Sequence, residues 1–189
     1  MHKKFKRNAI ILTSLLIAII LAGFFIVKNS RSNSEPTKQE KAVAEIRKFM
    51  GDENLKVQYA NPSKFAYGSN INEDIYVSEF DQFEIDSKTG KLLQFGPKPS
   101  SSKSYDESPR YTESELEAMA KDYIAKNAPE VNLANVTPNN GNKEQEHYFF
   151  RWEDRGNKTT DGYSFVQVGF SRGGSILSYI NTLGLSENE

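Results

Sequence analysis

The sequence predicts an α+β fold in which a helix followed by antiparallel strands occurs twice, behind an apolar N-terminal segment. Three observations carry this. Two segments with apolar residues at helical spacing each begin with a Thr-x-x-Glu pattern, Thr37 to Glu40 and Thr112 to Glu115. Each is followed by alternating apolar residues that close through a glycine-containing turn, Asp86 to Gly90 in the first half and Ser171 to Gly174 in the second. A run rich in Pro, Ser and Gly, Gly96 to Arg110, divides the two halves.

The N-terminal segment comes first in the chain. Residues 1–8 carry Lys3, Lys4, Lys6 and Arg7 and no acid, and Ala9 to Val27 is interrupted only by Thr13, Ser14 and Gly23. Nineteen residues of helix span about 28 Å, close to the thickness of a bilayer core. The basic residues before it outnumber Lys28 and Arg31 after it. The expectation is a single-pass cell-membrane anchor with a cytoplasmic N-terminus and the rest of the chain exported. A cleaved signal peptide would have a shorter apolar stretch ending at a small-x-small site. Here Phe24, Phe25, Ile26 and Val27 end it. Residues 28–36 are small and polar and read as a stalk.

The first repeat unit covers 37–97. Thr37 and Glu40 have capping-box spacing, and Ala42, Val43, Ile46, Phe49 and Met50 form the apolar stripe of a helix stopped by Gly51. Strand patterns follow, with Leu55, Val57 and Tyr59 alternating, then Phe65 and Tyr67, Ile75 and Val77, Phe83 and Ile85, and a return from Lys91 to Phe95. Phe80 falls out of phase, which predicts a bulge or a break. After a linker at 98–110, the second unit covers 111–184. Its helix has the stripe Leu116, Met119, Ala120, Tyr123 and Ile124 and stops at Asn127-Ala-Pro129. Three strands are predicted, Tyr148 to Trp152, Tyr163 to Phe170 and Ser175 to Ile180, before a polar tail at 185–189. Units of about 60 to 70 residues bury little apolar surface alone, so the two are expected to pack together or to extend one another's sheet.

Composition narrows the function. The chain holds 24 Lys and Arg against 25 Asp and Glu. Four of the basic residues lie before residue 28, so the remainder carries a net −5. That acidity argues against nucleic acid, which needs clustered cations to neutralise phosphate. There is no cysteine, which removes disulfides, thiolate metal sites, a thiol nucleophile and a lipidation anchor. Of the two histidines, His2 lies in the basic tail and His147 stands beside a strand with no nucleophile pattern near it. Ser100-Ser-Ser-Lys103 matches S-x-x-K but sits in the linker rather than at a helix start. Asp154 to Asp161 lacks the alternating acids of a calcium loop and reads as a hairpin tip. Glu113, Glu115 and Glu117 occupy the first turns of a helix, where acids complement the dipole. No catalytic residue, metal ligand or cofactor is expected.

The aromatic residues are what remains. On a strand, Phe149 and Arg151 share one face, and Tyr148, Phe150 and Trp152 share the other. The latter three read as core, with an exposed partner patch as the sharper alternative. Phe149, Trp152 and Tyr67 are the candidate partner-binding residues.

The stretch reading F-E-I-D-S-K-T-G-K-L, residues 83–92, resembles the hairpin of the PepSY domain, found in propeptides of thermolysin-type metallopeptidases and in a protein of spore germination. The second half, from Tyr148-Phe-Phe-Arg-Trp152 through Ser171-Arg-Gly-Gly174 to Ile180, is similar to the YcdB/YcdC repeated domain of Gram-positive bacteria. The resemblance covers roughly 37 to 183. It departs at the second turn, where Phe170-Ser171 replaces the Ile-Asp of the first, which weakens any ligand role for the turn and leaves its shape intact. The resemblance implies two cystatin-like helix-plus-antiparallel-sheet units outside the cell. It also implies a non-enzymatic module that restrains or chaperones an exported peptidase or cell-wall hydrolase. A structural or assembly scaffold of a cell-envelope complex is the second expectation, and an undetected hydrolase the third.

Overall fold

Both helices form where the two Thr-x-x-Glu patterns place them, because those side chains satisfy backbone donors that the first helical turn leaves unpaired. The computed structural model describes residues 35–67, 71–139, 147–159 and 162–185. In α1 (Lys38–Met50) the Glu40 N–H donates to Thr37 Oγ1 at 3.2 Å and the Thr37 N–H to Glu40 Oε2 at 2.7 Å. In α2 (Glu113–Asn127) the same pair of bonds joins Thr112 and Glu115 at 3.3 and 2.8 Å. Each cap contributes about 1 kcal/mol. Gly51 ends α1 at φ 68°, a left-handed conformation that glycine adopts without strain.

Eight strands form one antiparallel sheet. They are β1 (Gln58–Lys64), β2 (Asn72–Val77), β3 (Asp81–Asp86), β4 (Leu92–Pro97), β5 (Thr137–Pro138), β6 (His147–Thr159), β7 (Gly162–Ser171) and β8 (Ile176–Asn181). Their order across the sheet is β1-β2-β3-β4-β8-β7-β6-β5. The two halves meet where β4 pairs antiparallel with β8, through Gln94 with Ile180 and Phe95 with Tyr179. An approximate two-fold therefore passes between β4 and β8, perpendicular to the sheet. The hairpins it relates share a detail. Register slips between Glu84 and Ile85 in the first and between Gly169 and Phe170 in the second, so Leu93 and Leu177 are the extra residues of equivalent bulges.

The helices cover one face. Ala42, Ile46 and Phe49 of α1 and Leu116, Ala120 and Ile124 of α2 join Tyr76, Phe83, Ile85, Phe95, Phe150, Trp152, Val166, Val168 and Tyr179 in one core. That core is continuous between the halves. Phe49 lies 5.8 Å from Phe95 in its own half and 5.5 and 5.2 Å from Tyr123 and Tyr179 in the other. Thr37–Glu189 is accordingly one compact unit, with the two repeats extending a common sheet.

The segment between the repeats is packed against both. Lys103 Nζ lies 2.7 and 3.0 Å from the carboxylate oxygens of Asp81, which is 5% exposed. Asp106 docks on the β7–β8 turn: its carbonyl accepts from the Gly173 N–H at 3.0 Å and from the Ser171 hydroxyl at 2.6 Å. A Cβ on Gly173 would stand 2.4 Å from that carbonyl oxygen.

Two expectations about strands are corrected and a third is met in one of its alternatives. Asn61-Pro62 does not separate two strands but lies inside β1, because β1 is an edge strand and tolerates a missing N–H. Phe65 and Tyr67 stand beyond its end. Phe80 marks a break between β2 and β3, one of the two outcomes its phase predicts. It sits in the tight β2–β3 turn, closed by the Ser78 N–H donating to the Asp81 carbonyl at 2.8 Å. The stretch read as a hairpin tip from Asp154 onward belongs to β6 as far as Thr159, with irregular pairing between Asp154 and Lys158. The anchor expected at 9–27 and the stalk up to residue 34 lie outside the described residues. Among the described residues no helix is long and apolar enough to cross a membrane.

Candidate functional site: the open face of the sheet

The side chains that alternate away from the helices line the other face of the sheet. A smaller apolar cluster lies there, made of Phe65, Leu93, Phe165 and Ile180 with Ile71 and Leu185 packed against it. The chain leaving β1 reaches across to it. Tyr67, 43% exposed, sets its ring edge-on to Phe165 at 5.4 Å and 90°, and Phe65 lies 5.8 Å from Tyr67. The Arg151 guanidinium stacks on the same Phe165 ring, 3.5 Å from its centroid. Arg151 Nε is 3.1 Å from Glu153 Oε1, an ion pair by proximity whose N–H is not directed at that oxygen. Asn139 Nδ2 donates to the same oxygen at 2.7 Å, and Arg155 Nε stands 3.6 Å from Glu153 Oε2.

Phe149 is half-buried on the same face, over Gly169 of β7, its partner in register. A Cβ at Gly169 would meet the Phe149 ring at 2.7 Å and Ser178 Oγ at 2.8 Å. The glycine is what lets the ring lie against the sheet. Gly169→Ala is expected to destabilise the protein by about 1–3 kcal/mol, as overpacking does. In a Phe149→Ala background the cost falls to the part due to Ser178, so urea denaturation of the double-mutant cycle reads the ring contact directly.

Of the three residues singled out from sequence, the structure therefore brings two to one surface. Tyr67 and Phe149 belong to the open face. Trp152 does not: it is 2% exposed and lies in the helix-side core beside Phe150. Strand alternation decides this, because Trp152 is one residue out of phase with Arg151 and Glu153.

At the other end of the open face, sequence reasoning missed a pair of carboxyls. Glu73 of β2 and Glu84 of β3 are 3% and 8% exposed. Burial, then the Glu84 charge, pushes the Glu73 carboxyl up to about 7, against a smaller opposing effect of a hydrogen bond with Ser63. Glu84 alternates with Phe83 and Ile85, which is the available signal, whereas Glu73 stands between Asn72 and Asp74 and gives none. Only the register, Glu73 opposite Asp86 and Ile75 opposite Glu84, shows that they are diagonal neighbours.

The polar motifs considered for chemistry have structural partners. Asp86 spends its carboxylate on its own turn, accepting from the Lys88 N–H and the Thr89 hydroxyl at 2.7 Å each. The equivalent Ser171 instead holds the inter-repeat segment, so the departure from Ile-Asp at the second turn has a packing reason. A cleft of ≈ 870 Å³ opens beside the first turn, between Asp86–Thr89, Ile71, Glu130 and Leu183–Leu185. Lys103 is committed to Asp81, and His147 Nε2 lies 3.1 Å from Glu107 at the surface. Glu115 caps α2, and Glu117 pairs with Lys121 at 2.8 Å. Among the described residues no group of three His, Cys, Asp or Glu is placed to hold a metal ion.

Comparison with known proteins agrees with this architecture. The C-terminal domain of YpeB from Bacillus megaterium matches with a TM-score of 0.51 at 13% identity, over 78% of this chain and 64% of that one. The chain thus spans less than two thirds of that neighbour, and the likeness shows a PepSY-like fold. No curated protein matches. The model of the YcdB, YcdC repeated domain matches residues 70–181, from the start of β2 to the end of β8, more than half of the chain. The protein with this doubled sheet is a member of the YcdB/YcdC repeated domain family.

Proposed function

We propose that the protein is a non-enzymatic binding module, tethered to the outer side of the cell membrane by residues 9–27, which presents its open sheet face to an exported peptidase or cell-wall hydrolase. The observation that carries this reading is the solvent-facing group at Tyr67: an exposed tyrosine edge-on to Phe165, with Arg151 stacked on the same ring. Tyr and Arg are, with Trp, enriched among the few residues that dominate the energetics of protein interfaces. The family membership and the PepSY-like fold support a regulatory module over a catalytic one. The apolar segment and its basic flank support the tether.

The test is site-specific photocrosslinking from position 67 of the full chain in intact cells, with the captured protein identified by mass spectrometry. An exported hydrolase is the expected product, and Tyr67→Ala or Arg151→Ala weakens its binding about tenfold, or about 1.4 kcal/mol each. Capture of integral membrane proteins alone, indifferent to both substitutions, supports a scaffold instead.

A further inference from the structure

The carboxyl pair at the far end of the open face has a conformational consequence. Glu73 and Glu84 project from adjacent strands onto the same side of the sheet, and both are nearly excluded from water. Glu73 Oε2 is buried with no hydrogen-bond partner among the described residues. Among the described residues, none that strand register sets opposite Glu73 or Glu84 is a cation. From β1, Ser63 stands opposite Glu73, and Lys64 stands opposite Asn72. From β3, Asp86 faces Glu73, with its carboxylate engaged by Lys88 and Thr89. From β4, Gln94 stands opposite Glu84, and its Oε1 is also buried without a partner. Gln82 Nε2 donates to Glu84 Oε1 at 2.9 Å, which satisfies one oxygen without adding charge. Two buried carboxylates in contact cannot both ionise without strong repulsion. A proton on Glu73 removes one charge and gives its orphaned oxygen a donor hydrogen.

The pair also sits at a sensitive place. Glu73 is the second residue of β2, two positions from Ile71. Phe65, at the other side of the same hairpin, is 2% exposed and donates its N–H to the Ile71 carbonyl at 3.0 Å. Phe65 and Ile71 pack on Leu93, Phe165 and Ile180. We propose that Glu73 and Glu84 hold one proton between them and that its loss loosens this end of the β1–β2 hairpin, uncovering the Leu93, Phe165 and Ile180 surface of the open face. The effect on partner binding rests on the function proposed above; the proton-dependent opening does not.

The sign follows from the raised affinity of Glu73 for its proton. A carboxyl that is harder to ionise in the closed state stabilises that state fully below its ordinary value of 4.5. The stabilisation is lost as pH rises toward about 7 and stays lost above it. Hydrogen exchange of the full chain, followed by mass spectrometry at pH 5.5 and 8.0 with the intrinsic pH dependence divided out, tests this without any partner. Peptides covering β1 and β2 are expected to open on the order of 10- to 100-fold more often at pH 8.0, while β7 stays protected. Glu73→Gln, which cannot ionise, is expected to abolish that difference. Glu84→Gln, which removes the repelling charge, is expected to reduce it and covers the case in which Glu73→Gln does not fold. Equal protection of β1 and β2 at the two pH values overturns the proposal, as does a difference that survives in both variants. Protection at pH 8.0 that follows added calcium and is lost with chelator also overturns it, because a bridging cation would then hold the pair.

Discussion

Dividing the chain between Lys98 and Arg110 is expected to leave two fragments, neither of which unfolds cooperatively. The reason lies at the β4–β8 junction. Each repeat ends in the strand that forms the middle of the common sheet, so separation turns β4 and β8 into exposed edges carrying Phe95 and Tyr179. Long apolar edges of that kind associate rather than stay solvated. The core is divided as well. Phe49 of α1 loses Tyr123 and Tyr179, both supplied by the second repeat. A fragment of about 60 residues buries only about 60% of the surface its unfolded chain exposes, and without disulfides or a metal it is marginal even when its core is complete. Mixing the two fragments restores the missing strand neighbour and the missing aromatic rings. Circular dichroism with urea titration is therefore expected to show no cooperative transition for either fragment and a single transition for the mixture. A cooperative transition in the first fragment alone would mean that the shared sheet is an association of independent domains.

The elements that were legible in the sequence are those fixed by neighbours in sequence. Both capping boxes, the Gly51 stop, the two apolar stripes and the glycine turns at Gly90 and Gly174 depend on residues within four positions of one another, and all are in place. What was not legible depends on partners far along the chain. Pro62 reads as a strand breaker until β1 is known to be an edge. The run at 98–110 reads as a spacer because Ser and Pro dominate it, yet Lys103 reaches Asp81 twenty-two residues away and Asp106 reaches Ser171 sixty-five residues away. The candidate surface divides in the same way. Alternation alone separated Phe149 and Arg151 from Tyr148, Phe150 and Trp152. That Tyr67 lies on Phe165, and that Glu73 stands diagonal to Glu84, follows only from the path of the chain after β1 and from the strand register.

Trp152 gives the sharpest separation between fold and function. Trp152→Ala is expected to destabilise the protein by about 3–5 kcal/mol, the range for removing a large aromatic from a filled core. Against a total stability of about 5–15 kcal/mol, this is a large fraction. The side chain is 2% exposed and belongs to the same cluster as Leu116, Ala120 and Ile124 of α2. Its removal therefore leaves a cavity between the sheet and the helix layer. Tyr67→Ala removes a ring that is 43% exposed and touches Phe65 and Phe165 at its edges, so its effect on stability is expected to be about 1 kcal/mol or less. The two substitutions then act oppositely on stability and on partner affinity. Measured well below the melting temperature and corrected for the folded fraction, the Trp152→Ala protein is expected to bind with unchanged affinity, whereas Tyr67→Ala, nearly as stable as the parent, binds more weakly. If Trp152→Ala lowers the affinity of the folded fraction as much as Tyr67→Ala does, the helix-side layer takes part in recognition, and the assignment of the open face as the binding surface is wrong.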